Sequence, residues 1–426
     1  MNINIKRTLL PLIILLTSAI IGSTLLIIVY CLPTDKMAQN VASGAETLLV
    51  EGPAFEYASD YKAAILDNST DAIMLTETIC PSVQNPVTDA MLVPRYVYQG
   101  SSSPELSLMA FLNNNTEAER FVITYPRYWH GYLIFLKPFF LFFNYADSRM
   151  FHLGFQLILF AVLIWLFNRR NLQQFVLPLI LLFVLWNPAS TGLCMQYYAC
   201  FYISIFSMII MLWKKEFLLK DDFYFDIFFL LVGICTSYFD YLTYPIATLG
   251  LPLCLWLLLV QSKNKRFFQL ITNCLFWSIG YLGMWAEKWI LSSWILGDNV
   301  IQDALSTIVS RTSTSVEAEN ISRIETVFYL ARTFFKWPYV VFFGIPFLYI
   351  IFSGLKRKPD LKYSYAKDKY IIFLLFILIA LLPCAWFFIA ANHSYIHPRL
   401  VYRNWGVTLY AIFAGIICFF QSKKTD

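Results

Sequence analysis

Apolar residues run through this chain in long continuous blocks, broken by short polar connections and by two longer ones. The blocks lie near 8–31, 148–167, 172–188, 193–212, 223–240, 243–260, 267–286, 337–354, 370–390 and 401–420. Each is close to the roughly 20 helical residues that cross a hydrocarbon core of about 30 Å. None alternates with the period of two that marks a barrel strand, so the blocks predict helices, whose backbone groups are satisfied within the segment. The expected fold class is an all-α polytopic membrane protein of about ten transmembrane helices with a small extracytoplasmic domain.

Basic residues give the expected orientation. Lys6 and Arg7, Arg169 and Arg170, Lys214, Lys215 and Lys220, Lys263, Lys265 and Arg266, the cluster Lys356, Arg357 and Lys358 running to Lys369, and Lys423 and Lys424 all fall on one side of an alternating ten-span path. Lys and Arg in short loops stay in the cytoplasm, which places both termini there, in a multi-pass protein of the plasma membrane. The first block is too long for the apolar region of a secretory signal, and no small-x-small site follows it. Tyr30 also precedes Cys31 where a lipoprotein site needs a small residue. Residues 1–31 are therefore read as a retained anchor.

Two long outer segments remain, 32–147 and 287–336, with helices 2–7 between them over 148–286 and helices 8–10 after them over 337–426. The first segment holds more acidic than basic side chains, so it reads as an acidic domain and not as a polybasic lipid-binding patch. Within it, Asp67-Asn68-Ser69-Thr70-Asp71 opens a helix through Met74 and Leu75, with the two aspartates four apart on one face. The Pro- and Ser-rich stretch from Pro81 to Pro104 reads as loop. Residues 128–143 are apolar, but a span there would put Arg169 and Arg170 outside. They predict an interfacial helix with Trp129, Tyr132 and Lys137 at headgroup level.

Composition agrees: 58% of residues are apolar and 14% charged, against about a quarter charged in a soluble domain. The net charge of +5 comes from the basic flanks of the spans and calls for no nucleic-acid partner. Nine cysteines lie mostly inside the blocks and form neither a disulfide framework nor a metal-ligand spacing. No cofactor is specified, and a divalent metal stays open.

The predicted span interiors are almost empty of charge, whereas Asp240, Glu287, Lys288, Arg399 and Arg403 fall at outer ends. A charge at mid-bilayer costs several kcal/mol, so chemistry is expected at the outer rim. Carboxylates able to take a proton there are Asp35, just after the anchor, and Asp67 and Asp71. Each could equally be a helix cap. Cations able to neutralise a phosphate are Arg127, Lys288, Arg399 and Arg403, for which plain anchoring of a helix end is the alternative. His130 beside Trp129, and His393 and His397 in the last outer connection, are candidates for hydrogen bonding to substrate or phosphate. Pro398 argues against a zinc pair at the two histidines.

The early anchor, the large acidic outer segment, the run Tyr125-Pro126-Arg127-Tyr128-Trp129-His130-Gly131-Tyr132 and the turn Asn144-Tyr145-Ala146-Asp147-Ser148 before Arg149 together resemble the GT-C membrane glycosyltransferases. The branch they resemble includes protein O-mannosyltransferases and bacterial aminoarabinose transferases. The resemblance implies transfer of a sugar from a polyprenyl-phosphate donor to a cell-envelope acceptor on the outer face. An outer aspartate would then be the base and rim Arg or Lys the phosphate ligands, and Asp35 sits where that family keeps its base. Other classes weighed against it are a transporter or lipid flippase, a polysaccharide polymerase that also uses outer arginines, and a non-catalytic receptor.

Overall fold

The computed structural model describes residues 3–114, 116–260, 266–317, 319–356 and 369–421. The basic residues Lys263, Lys265, Arg357, Lys358, Lys423 and Lys424 lie outside them.

A first helix, α1 (Ile3–Tyr30), ends at Leu32-Pro33, and Pro33 caps α2 (Thr34–Glu51). A cap region follows: α3 (Asn68–Ile79), α4 (Pro86–Leu92), β1 (Arg95–Tyr98), α5 (Pro104–Leu112), β2 (Arg120–Ile123) and α6 (Leu133–Phe140). Then come α7 (Tyr145–Arg169), α8 (Val176–Trp186), α9 (Pro188–Leu193), α10 (Tyr198–Trp213), α11 (Lys215–Leu218), α12 (Asp222–Phe239), α13 (Ile246–Leu259) and α14 (Arg266–Leu296). A second cap segment holds α15 (Val300–Thr312), the short pair β3 (Ser315–Val316) and β4 (Glu319–Asn320), and α16 (Arg323–Phe334). The chain closes with α17 (Trp337–Lys356), α18 (Lys369–Ala380), α19 (Leu382–Ile389), α20 (Ala391–Ile396), α21 (Pro398–Val401) and α22 (Trp405–Gln421).

Among the described residues, eight helices are long and apolar enough to cross a membrane: Leu9–Tyr30, Tyr145–Arg169, Met195–Trp213, Asp222–Phe239, Arg266–Leu296, Trp337–Leu355, Lys369–Ile389 and Pro398–Phe420. Two further apolar helices, Gln173–Trp186 and Ile246–Leu259, occupy the blocks expected as the third and sixth spans but are shorter. Their surroundings explain it. Every residue of α13 is buried, so its partners α10, α12, α18 and α22 meet the lipid in its place. The protein is thus a multi-pass, all-helical membrane protein, and its only sheets among the described residues are two two-stranded antiparallel pairs in the cap.

The cap is better ordered than its composition suggests. Asn85 accepts from the Val87 and Thr88 amides to start α4 inside the stretch read as loop, and β1 pairs with β2 from Arg95 with Ile123 to Tyr98 with Arg120. Its core joins Met37, Val41, Ala45 and Leu48 of α2 to Leu75 and Ile79 of α3 and to Trp129, Leu133 and Phe140. A helix forms in the segment expected to be interfacial, but it is shorter, Leu133–Phe140, and its polar groups face inward. Trp129 and Lys137 are buried rather than at headgroup level, and Tyr132 nearly so, while Phe135, Phe142 and Phe143 are exposed in their place. Trp129 has an indole N–H that donates to the Met284 carbonyl at 2.6 Å, a bond that outweighs a headgroup contact because it removes the polar cost of burial.

Candidate functional site

Local sequence builds the acidic side of the site. Asp67 is the N-cap of α3, its Oδ1 accepting from the Thr70 amide at 3.4 Å. Its own amide points at Cys194 Sγ. The other oxygen, Oδ2, accepts no hydrogen bond among the described residues, so this nearly buried carboxylate keeps one face open. One turn later Asp71 is fully buried and held at both oxygens, by the Tyr145 hydroxyl at 2.7 Å and the Met195 amide at 2.8 Å. Burial pushes its carboxyl up to about 7, against the smaller opposing effects of Tyr145 and Arg149.

Arg149 locks this corner. Its guanidinium donates twice to Glu51, at 2.7 and 2.8 Å, once to Asn68 Oδ1 at 2.9 Å and once to the Leu193 carbonyl at 3.1 Å. The end of α2, the start of α3, the start of α7 and the end of α9 are thereby tied at one point. Such a planar fork matches a carboxylate in a way that Lys cannot.

The cationic side comes from the other end of the sequence. Arg403 is 1% exposed, yet it meets no carboxylate among the described residues. It donates to the carbonyls of Trp186 and Arg399 and to Ser190 Oγ at 2.8 Å, and it lies 3.6 Å from the Tyr197 ring centre, with Tyr402 and Tyr244 further off. Arg399 is half-buried and likewise has no carboxylate partner among the described residues. Tyr197 lies within electrostatic range of Arg403, Asp67 and Arg399 at once. His397 lies within range of Arg311, Asp67 and Arg399. Groups from the start of α3, the turn before α10, α15 and the α20–α22 corner are therefore near enough to act on one another electrostatically.

The two histidines are neutral near pH 7. Burial, with help from neighbouring charge, lowers His393 to about 3 and His397 to about 4. His393 Nε2 sits 2.7 Å from the Leu242 carbonyl, so it carries the proton, and its buried Nδ1 is left as an unpartnered acceptor. His397 Nε2 faces Arg311 Nη1 at 3.3 Å and accepts from it.

Beside this zone runs a cleft of about 740 Å³ counted to its open mouth. Arg127, Arg311 and His393 sit in it among Tyr281, Trp285 and Trp386. Leu282 and Ile389, at the cleft, are more than half exposed on spanning helices, so the cleft opens on the lateral face of the bundle. Arg127 is paired with Asp303 of α15 at 2.6 Å and lies over Tyr125.

Three of the expected site residues, Asp35, Lys288 and His130, lie apart from this zone. Asp35 is exposed on the first turn of α2, and the rest of that helix separates it from Glu51 by about 24 Å at 1.5 Å per residue. Lys288 is fully buried and donates to the carbonyls of Ala90 and Met91, which end α4. Lys137 does the same for α3 through the Thr78 carbonyl at 2.8 Å. His130 has φ +51° and is buried, its Nδ1 2.7 Å from the Tyr132 hydroxyl, which in turn donates to Glu77.

Sequence reasoning missed Glu51, Tyr145, Arg149 and Arg311 as members of the site. An arginine at the very start of an apolar block, one turn into its helix, was a usable signal for Arg149, since a charge there needs a partner. Arg311 gave no signal, because it looks like any cation of an outer loop. Among the described residues no group of three or more His, Cys, Asp or Glu is arranged to hold a metal. No known protein family, curated protein or solved structure matches the chain.

Proposed function

We propose that this protein is a membrane glycosyltransferase that moves a sugar from a polyprenyl phosphate to a hydroxyl of a cell-envelope acceptor, at the end of the bundle carrying the cap. One observation carries the reading: a carboxylate with an open oxygen, Asp67, shares a zone with Arg399 and Arg403, two guanidiniums that no carboxylate among the described residues neutralises. A buried cation without a counter-charge is costly, and an anionic phosphate would remove that cost.

In the proposed step the acceptor oxygen attacks the anomeric carbon, and its proton passes to Asp67. The bond from that carbon to the phosphate oxygen breaks, and the electron pair leaves on the polyprenyl phosphate. Arg399, Arg403 and Arg311 stabilise the charge that gathers there. The cleft lined by Trp285 and Trp386 supports a lipid donor, because it leads from the hydrocarbon to Arg311. The neutral His393, with an acceptor nitrogen free, suits binding of a sugar hydroxyl.

The test is transfer by purified protein in proteoliposomes, using polyprenyl phosphates that carry radiolabelled glucose, mannose, galactose or arabinose and a cell-envelope extract as acceptor. Incorporation by the wild type and its loss in Asp67→Asn are the expected results. Wild-type protein that incorporates label from none of the four donors rejects the reading.

A further inference from the structure

At the opposite end of the bundle a second cleft opens between α7 and α10, with about 1080 Å³ of space counted to its mouth. Val162, Leu166 and Ile209 form its apolar walls, and Trp165, Arg169, Arg170 and Trp213 close it at the helix ends. The walls belong to two spanning helices, so a tail lying along them would sit in hydrocarbon. The closing residues stand where headgroups are.

This end is a built cradle and differs from a loose fringe of basic side chains. Arg170 reaches from the end of α7 to the end of α10, donating to the Leu212 carbonyl at 2.8 Å and the Trp213 carbonyl at 3.3 Å, and it is braced by Glu216. The two helix ends are thereby held apart at a set width. Arg169 lies 4.9 Å over the exposed Trp165 ring and Lys214 lies 4.8 Å over the exposed Trp213 ring. Neither cation meets a carboxylate among the described residues. Arg169 lines the cleft and Lys214 adjoins its lining residue Trp213, and cations already stacked on aromatic faces lose little freedom on binding an anion.

We infer that this cleft is a binding site for an anionic diacyl phospholipid, with the acyl chains against Val162, Leu166 and Ile209 and the phosphate between Arg169 and Lys214. The phosphodiester accepts from the guanidinium and the ammonium, and the indole N–H groups of Trp165 and Trp213 supply further donors. The site lies at the opposite end of the spans from Asp67 and stands whether or not the protein transfers sugars.

The experiment is native mass spectrometry of the full chain released from detergent, titrated with phosphatidylglycerol and with phosphatidylcholine of the same acyl chains. Two added charge contacts predict a preference for phosphatidylglycerol of about tenfold or more. The double variant Arg169→Gln, Lys214→Gln is expected to lose that preference, and Lys36→Gln at the cap end to keep it. Millimolar inorganic phosphate is expected not to displace the lipid, because the chains supply part of the binding. Equal retention of the two lipids by the wild type overturns the inference without any variant. Undiminished preference in the double variant, displacement by phosphate alone, or tighter binding of polyprenyl phosphate than of phosphatidylglycerol would each overturn it as well.

Discussion

Asp67 and Asp71 are one helical turn apart and chemically unlike. Both oxygens of Asp71 are occupied by donors that do not move with substrate, whereas Asp67 has only its capping contact. If Asp67 is the base, Asp67→Asn should lower transfer by about a hundredfold or more, with the donor still bound. Asp71→Asn should act first on stability, and its pH dependence has a definite sign. A carboxyl raised by burial to about 7 holds its proton in the folded state after the unfolded chain has released it. The stability it contributes is complete below the ordinary carboxylate range and is lost as pH climbs toward 7. Asn cannot titrate, and its imperfect match to the Met195 amide is a constant offset. The melting temperature of Asp71→Asn relative to wild type should therefore rise between pH 5 and pH 8 in detergent. A difference that is flat, or falls, would mean that Asp71 is ionised throughout.

Helix pairs set the next scale, and the closest is α12 with α14. A Cβ on Gly233 would stand 2.1 Å from the Trp277 carbonyl oxygen, and one on Gly280 would stand 2.2 Å from that of Leu230. Each helix is notched where the other's backbone passes, as small residues permit in membranes. Gly233→Ala must push the pair apart, and an overpacking cost of about 1–3 kcal/mol is expected, read as a lowered melting temperature. Because α14 carries Trp285 to the donor cleft and Lys288 to α4, transfer activity should fall with it. An alanine variant as stable as wild type would show that the two helices have room to spare.

The same scale shows what was legible in the sequence. All ten apolar blocks are helices because burial or lipid demands internally satisfied backbone, and continuous hydrophobicity reports that directly. The Asp67 cap was legible because a cap is local. What a side chain meets across the fold was not. Lys288 and Lys137 look like rim cations in sequence but neutralise helix-end carbonyls of α4 and α3. Trp129 looks like a belt residue but is bonded to α14, 155 positions away. Arg149 was noticed only as part of a turn, since its partner Glu51 lies 98 residues earlier.

At the scale of the whole molecule, charge and architecture divide between two ends. Arg7 pairs with Asp221, and Arg170 with Glu216, at the end where Lys214 and Lys215 also lie. The cap, with Asp67, Asp71 and the unneutralised Arg399 and Arg403, lies at the other. Short loops rich in Lys and Arg resist translocation, so the proposed orientation puts the first end in the cytoplasm. A lipid-linked sugar presented outside would then reach Arg311 through the lateral cleft without crossing the bilayer. Alkaline phosphatase fused within the turn at Gly100 should be active and a fluorescent protein fused after Asp426 should fluoresce. Gly100 suits the insertion because its φ is +82° and a Cβ added there would meet no neighbour within 4 Å, so the turn tolerates added chain. The opposite pair of results would put Asp67 and the arginines in the cytoplasm, facing nucleotide sugars in place of lipid-linked ones. It would remove the reason for a cleft that opens into the hydrocarbon, and with it the proposed donor.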